Sequence, residues 1–513
     1  MIDSRLGGLS LQQSVGARRA EVPVRYFLVT AALTGVVLRF ATLGRQSLWV
    51  DEVITLKNSY VGEPGIMQSF FRTLQGPLAS LVMHFWAGIG GGDAFLHVPF
   101  AIVGALTVLA LYWLGRSLFD SWTAIHTAFV ASLSPILIWY SQEIRGYAFA
   151  LLFVVLMTRF FVEWMARPGA RNAFFYGVCL LAGLLSNLSV AFVAAAQFAY
   201  LVVVQGKRRL IGRWLVAVFL VLLVFSPWVR EMIERWRSVP GATASTQVVT
   251  GGGGLSAFSI PYVYFVYGGG YSLGPTVREL QADSSRAVNE NVGWILAAAA
   301  VFGLPLVLGM VRLARSNSNL LTLLLLWMAV PVVCVSLVAG LGLKTFNVRY
   351  ALVGVPAFIL LTASGLAAIT RTRFWPFLGV YAALVGFAIY NYVAVPSYGK
   401  EDAKQAAAIV SSNLRDGDVV VGVYTAEPLE YYLRGTAAVN VFGADDLVSA
   451  ATMSARCEAM SRGADRVWLS LCRQRAVDPR GTIKSWFDSN LTRVNAWELP
   501  GIELCLYQKK GMD

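Results

Sequence analysis

Apolar runs of about 20 residues, the length a helix needs to cross about 30 Å of hydrocarbon, recur along most of this 513-residue chain. With 57% hydrophobic residues, 14% charged residues and a mean hydropathy of +0.60, the chain falls outside the soluble globular class. The expected fold is a polytopic α-helical membrane protein. The first run is not followed by a small-residue cleavage site, so it is expected to act as an uncleaved signal-anchor.

The net charge of +13 would suit a nucleic-acid binder, but its distribution excludes that partner. Arg5, Arg18, Arg19 and Arg25 precede the first run; Arg116, Arg167, Arg171, Lys207, Arg208, Arg209, Arg213, Arg312, Arg315, Arg371 and Arg373 fall at later breaks. Basic short loops mark the cytoplasmic side. Spans are then expected at 25–43, 97–115, 122–140, 146–165, 172–186, 188–205, 211–228, 292–312, 319–341, 350–370 and 374–394. Eleven spans leave the N-terminus inside and the C-terminus outside. Counting 77–91 as another would move Arg116 and the Lys207 cluster to the outer face, so it reads as an interfacial helix. Pro77 starts it, and Leu78, Leu81, Val82, Phe85 and Trp86 share a side.

The domain division that follows is 1–395, a membrane domain with outer loops 44–96 and 229–291, and 396–513, an extracytoplasmic α/β domain. In the second, Glu401 to Leu414 and the regions 427–433 and 481–489 read as helices. Val419 to Val423, Ala437 to Val441, Val467 to Leu471 and Ile502 to Leu506 read as strands. Loop 229–291 carries Gly251 to Gly254 and Tyr262, Tyr264, Tyr267 and Tyr271, which suits either a lid over a lipid or sugar or an interfacial tyrosine belt. Cys179 and Cys334 fall in spans. Cys457, Cys472 and Cys505 fall in the outer domain, where one disulfide is allowed and its pairing is open.

The polar chemistry gathers at the outer boundaries. Asp51 and Glu52 follow the first span, Glu143 lies in the turn after the third, and Lys344, Arg349 and Tyr350 precede a late span. Carboxylates at a membrane edge are costly unless paired, hydrated or used. With no nucleotide-binding loop in the sequence, an activated substrate must arrive ready-made, and a lipid-phosphate-linked sugar satisfies that. Asp51 can serve as the base for glycosyl transfer; Glu143 can orient the acceptor or help bind a metal; Lys344, Arg349 and Tyr350 can clamp the departing phosphate. The competing readings are a solvated loop or helix N-cap for Asp51 and Glu52, a local ion pair for Glu143 and Arg145, and snorkelling or belt residues for Arg349 and Tyr350. For His84, on the polar side of the interfacial helix, and for His126, the competitor is a satisfied structural histidine.

Three segments at these positions, Trp49-Val50-Asp51-Glu52, Tyr140-Ser141-Gln142-Glu143-Ile144-Arg145-Gly146-Tyr147-Ala148 and Phe346-Asn347-Val348-Arg349-Tyr350, resemble the C-type glycosyltransferases. The nearest branch is the bacterial relatives of dolichyl-phosphate-mannose protein mannosyltransferases and of the lipid A aminoarabinose transferase. Tyr398-Gly399-Lys400-Glu401-Asp402 and the segment after it resemble the outer domain of bacterial members. Gln75-Gly76-Pro77 departs from the His-Pro-Pro of many relatives, and Pro356 comes later than the proline that usually follows Arg-Tyr.

The resemblance implies an inverting transferase of the bacterial inner membrane, working without a metal or with a divalent cation. Its donor would be a polyprenyl-phosphate monosaccharide and its acceptor a lipid, polysaccharide or protein. It implies Asp51 as base, Glu143 as the second acidic residue, and Arg349 and Tyr350 facing the lipid phosphate. On this chain's own residues, Glu52 completes the catalytic candidates, and Arg145, Tyr147, Lys344 and His84 complete the substrate-binding candidates. An en bloc oligosaccharide transferase and a lipid-carrier flippase are the alternatives. The flippase ranks last, because transporters set polar groups near the midplane and show internal repeats.

Overall fold

A computed structural model of the protein describes residues 21–59, 76–204, 206, 208–238, 258–369, 371–423, 426–442, 447, 449–474, 478 and 480–510. Gly251 to Gly254, Gln75, Arg5, Arg18, Arg19 and Lys207 lie outside the described residues. Helix α1 (Glu21–Phe40) leads to two short helices, α2 (Val50–Lys57) and α3 (Leu78–Trp86). Then come α4 (Asp93–Leu118), α5 (Ser121–Leu133), α6 (Pro135–Ser141), α7 (Tyr147–Ala166), α8 (Ala170–Ser186), α9 (Val190–Val203) and α10 (Ile211–Ser238). After α11 (Ser259–Gly269), α12 (Val277–Ala282) and α13 (Ser284–Glu290), the bundle closes with α14 (Val292–Ser316), α15 (Ser318–Gly340), α16 (Val355–Leu366) and α17 (Arg371–Ala394). Among the described residues six helices are long and apolar enough to cross a membrane, a seventh span arises if α5 and α6 count as one, and four further apolar helices are shorter. The chain is a multi-pass membrane protein.

The expected straight span at 122–140 is broken. Helix α5 stops at Leu133 and α6 leaves it at 57°, because Pro135 lacks an N–H and forces Ser134 out of the helical region. The break frees carbonyls at the end of α5, and a fully buried arginine of α1 takes them. Arg39 donates to the carbonyls of Ala131 (3.1 Å) and Ser132 (3.3 Å), as well as to Gly35 (2.9 Å), which satisfies groups that would be orphaned in a dry interior. Gly104 of α4 makes room for this junction, since a Cβ there would strike Ser141. The expected start of a span at 350 also moves. Two 3-10 turns, Val348–Tyr350 and Leu352–Gly354, precede α16, whose first turn holds Pro356.

The described residues of the 229–291 segment are largely helical rather than a loop. Helix α10 runs on to Ser238, and α11 is packed into the core with Val263, Val266 and Tyr267 buried. Of the tyrosines on this helix Tyr267 is buried, and Tyr262 and Tyr264 are partly buried. Helix α3 buries Ala79, Ser80 and Met83, packs Leu78, Val82 and Trp86 against the same core and leaves Phe85 exposed, so the apolar side expected at the interface is in large part turned onto the protein.

Beyond α17 lies a small α/β domain of five strands: β1 (Val419–Val423), β2 (Val439–Val441), β3 (Arg466–Cys472), β4 (Leu491–Leu499) and β5 (Ile502–Lys509). Their order is β2-β1-β3-β5-β4, with β2, β1 and β3 parallel and β5 antiparallel to β3 and β4. The central β3 is buried from end to end, as a strand covered on both faces must be. Helices α18 (Ala403–Asn413), α19 (Ala426–Tyr432), α20 (Ala450–Ser461) and α21 (Thr482–Asn490) cover the two faces. The edge strand β4 and α20 were not expected from sequence; β4 is mostly exposed and so carries no sustained apolar pattern. The allowed disulfide does not form among the buried Cys457, Cys472 and Cys505. Cys472 packs on one face of the sheet while Cys457 and Cys505 pack on the other.

Candidate active site

The first turn of α2 presents Asp51 and Glu52 at the bundle end that carries the α/β domain. Neighbouring residues on a helix point about 100° apart, and these two carboxylates meet different surroundings. Glu52 turns inward and is completely buried. Its Oε1 accepts from His97 Nε2 (2.9 Å) and from the Ile144 N–H (2.9 Å); its Oε2 accepts from Lys400 Nζ (2.8 Å) and from the Trp49 N–H (3.2 Å). Burial pushes this carboxyl up, yet Lys400 and His97 outweigh that and hold it down at about 2. With both oxygens occupied, Glu52 joins loops rather than presenting a reactive oxygen. The N-cap reading does not hold for Glu52 itself: Trp49 is the N-cap of α2, and Glu52, at the third helical position, accepts its N–H.

Asp51 turns the other way and keeps some exposure. Its Oδ2 accepts from Arg349 Nη1 (2.9 Å) and faces Arg145 Nη2 at 3.5 Å, while Arg145 Nη1 donates to the Asp51 carbonyl (3.0 Å). Burial raises the Asp51 carboxyl, but Arg145 and Arg349 more than compensate and keep it below the usual range. Asn347 fixes the Arg349 backbone by accepting its N–H (3.1 Å). Lys344 Nζ lies 4.5 Å from the centre of the Tyr350 ring and the Arg349 guanidinium 5.4 Å from it. Burial raises the Tyr350 hydroxyl, and these two cations lower it further than burial lifts it. Arg145, Arg349 and Lys344 thus bring three positive charges to a place where Asp51 supplies one negative charge, an excess suited to a phosphate.

Glu143 sits in the turn after α6. Gly146, pressed against the Ser186 carbonyl, and Gln142, which donates to the Arg39 carbonyl (3.0 Å), pin that turn. Trp139 Nε1 donates to Glu143 Oε1 (2.7 Å), while the buried Oε2 has no hydrogen-bond partner among the described residues. Tyr140 and Tyr271 hydroxyls meet at 2.9 Å, and the rings of Tyr392 and Tyr271 lie 4.7 Å and 5.4 Å from Trp139, so an aromatic wall flanks the carboxyl. Burial drives Glu143 up to about 7; Lys400 opposes this and Glu52 adds to it.

A carboxyl raised from 4.5 to about 7 by folding favours the folded state fully below pH 4.5 and loses that contribution as pH rises through 7. Glu143→Gln, which keeps the Trp139 bond, is therefore expected to be more stable than the parent protein by roughly 3 kcal/mol above pH 7 and equal to it near pH 4.5. Thermal unfolding in detergent across that range measures the difference; a pH-independent gap would contradict the assignment.

The structure thus brings together Asp51, Glu52, Glu143, Arg145, Lys344, Arg349 and Tyr350, with the buried Tyr147 ring 4.9 Å from Tyr140. His84 is engaged elsewhere, donating from Nδ1 to the Ser59 carbonyl beyond the end of α2 (2.7 Å). His97, Trp139, Tyr392 and the role of Lys400 were missed. The i,i+4 spacing of Trp139 with Glu143 was the available signal, and Lys400 stood in a motif without a function. Among the described residues no group of three or more His, Cys, Asp or Glu is placed to hold a metal. The donor chemistry points the same way, since Glu52 is saturated and Asp51 faces two guanidinium groups; this acidic set, as arranged, does not fit a divalent cation.

A family model described as dolichyl-phosphate-mannose-protein mannosyltransferase matches residues 75–230, a stretch that includes Glu143 and Arg145 but neither Asp51 nor Arg349. No curated protein matches the chain by sequence. Among solved structures, ArnT from Cupriavidus metallidurans in the apo state superposes with a TM-score of 0.59 at 12% identity, over 95% of this chain and 98% of that one. The chain has the C-type glycosyltransferase fold. ArnT bound to undecaprenyl phosphate matches this chain with a TM-score of 0.58 at 13% identity, again over 95% and 98%. The archaeal oligosaccharyltransferase AglB from Archaeoglobus fulgidus, in complex with an inhibitory peptide and a dolichol-phosphate, gives 0.56 at 14% identity, over 97% of this chain and 75% of its own.

Proposed function

We propose that this protein is an inverting glycosyltransferase that moves one monosaccharide from a polyprenyl-phosphate carrier to an envelope acceptor, a lipid, polysaccharide or protein. It works at the outer face of a bacterial inner membrane, with its N-terminus in the cytoplasm and residues 396–513 outside. The observation that carries the reading is the cationic excess of Arg145, Arg349 and Lys344 around the carboxylate of Asp51. The undecaprenyl phosphate and dolichol-phosphate in the complexes of structural relatives support the donor class.

In the reaction, Asp51 takes the proton of an acceptor hydroxyl as that oxygen bonds to the anomeric carbon from the face opposite the phosphate. The bond between the anomeric carbon and the phosphate oxygen breaks, its electron pair stays on the phosphate, and Arg349 and Lys344 stabilise the developing charge. Arg145 and Tyr147 line the same site, and Glu143 orients the acceptor. Every step uses side chains of this chain alone.

Purified protein, given a polyprenyl-phosphate monosaccharide with a radiolabelled sugar and a membrane-envelope extract, is expected to release polyprenyl phosphate and yield labelled product of inverted anomeric configuration. The likeness to AglB keeps en bloc transfer as the second reading. Labelling only from a lipid-linked oligosaccharide would establish that reading instead, and lipid translocation without a glycosyl product would sink both.

A further inference from the structure

Several contacts tie the α/β domain to the rim of the membrane domain. Lys404 Nζ pairs with the buried Asp93 (2.9 Å), Tyr432 donates to the same carboxylate (3.0 Å) and accepts from the Leu48 N–H (2.9 Å), and the exposed Lys57 pairs with Glu430 (2.6 Å). The Asp93 carbonyl in turn accepts from His97 Nδ1 (2.6 Å), and His97 Nε2 donates to Glu52. Both ring nitrogens of His97 thus face acceptors. Lys400, in the segment entering the domain, closes the circuit: its backbone N–H donates to Gln46 Oε1 (3.2 Å), and its buried ammonium reaches Glu52 (2.8 Å) and the Gln142 carbonyl (3.3 Å). Domain docking and loop geometry therefore share one network.

Glu52 is where this network meets the chemistry. By accepting from the Trp49 and Ile144 N–H groups it fixes the start of α2 and the turn 142–145 relative to one another, and those two pieces carry Asp51, Glu143 and Arg145. An ammonium taken from Glu52 leaves a buried carboxylate with half its counter-charge, and removing one partner of a buried pair is strongly destabilising locally. From these contacts we infer that Lys400 is a positioning residue through which the C-terminal domain completes the transfer site; the inference rests on the glycosyl-transfer reading. Lys400 touches no reacting atom in this scheme. It sets the separation between the base on α2 and the residues on the 142–145 turn, and a displacement of about 1 Å in such a site costs about 10²-fold in rate.

The test compares full-length Lys400→Met, Lys400→Arg and Lys57→Ala in detergent. Lys400→Met should lower kcat about 10²-fold while the donor KM moves no more than about threefold, and Lys400→Arg should recover most of the loss. Hydrogen exchange at the Trp49 and Ile144 amides should accelerate about tenfold or more in Lys400→Met. Lys57→Ala, which breaks an exposed contact between the same domains, should match the parent protein in both assays. Parental kcat and exchange in Lys400→Met overturn the inference, as does lost activity with unchanged exchange or a loss that arginine does not relieve. If Lys400→Met does not fold, Tyr432→Phe decides: it removes domain contacts at Leu48 and Asp93 without touching Glu52, and an unchanged kcat overturns the inference. A parent protein with no transfer from the lipid-phosphate donor defeats the functional reading, whereas the exchange arm, which needs no donor, tests the Lys400 circuit separately.

Discussion

Asp51→Asn is expected to cut sugar transfer about 10²- to 10⁴-fold, the range a positioned general base supplies, without weakening donor binding. Asparagine keeps the shape of the side chain but removes the negative charge facing Arg145 and Arg349, so the two guanidinium groups remain to receive a lipid phosphate, with less competition than before. The effect therefore falls on kcat, and donor KM stays level or drops. Arg349→Met should show the opposite partition, raising donor KM as well as slowing turnover, because the same side chain meets the phosphate before and after the bond breaks. Initial rates over a range of donor concentrations separate the two patterns. Because Arg145 and Arg349 hold the Asp51 carboxyl below the usual range, the base stays ionised across neutral pH. An acid limb near pH 7 in the parent protein would report Glu143 instead. Full activity in Asp51→Asn would remove the base from Asp51.

The contrast between Asp51 and Glu52 shows how much of this site was legible in sequence. Hydropathy and basic loops located the helices well, because each run must satisfy its own backbone in lipid, and the acidic pair stood out as a cost needing a partner. The identity of the partners was not legible. Lys400 lies 348 residues from Glu52 and Arg349 lies 298 from Asp51, and no local periodicity encodes such contacts. The break at Ser134 was readable from Pro135, but its compensation by Arg39 was not, since a lone arginine inside an apolar run looks the same whether it snorkels to an interface or caps a broken helix. In the α/β domain β3 was legible because Val467 to Leu471 are apolar but for Ser470. The edge strand β4 was not, because its exposed side chains reflect solvent rather than a core.

Two adjacent carboxylates on one turn of helix thus divide the work by direction. Asp51 faces two guanidinium groups and keeps some exposure, whereas Glu52 is fully buried among cations and backbone donors. Function and stability can then be perturbed separately at neighbouring positions, an unusual convenience in a site where most polar groups interact.

The largest loss of stability is accordingly expected at Glu52. In Glu52→Gln the shape survives, but Lys400 and His97 lose the charge that makes their burial tolerable, and breaking a buried pair of this kind costs about 3–5 kcal/mol. Since the Glu52 carboxyl is held down at about 2, well under its ordinary 4.5, its stabilising contribution is present above pH 4.5 and is lost as pH falls through 2. The gap between parent and variant should stay constant from pH 6 to pH 8 and narrow below pH 4.5. Thermal unfolding of both proteins in one detergent measures it. Adding Lys400→Met to Glu52→Gln removes the stranded ammonium as well, so the double variant should be less destabilised than the sum of the singles; strictly additive losses would mean that the two side chains are not energetically coupled. The same comparison bears on activity, because Asp51 is untouched in all three proteins: transfer should fall with the loosening of the Trp49 and Ile144 amides and not with the loss of charge at Glu52 itself.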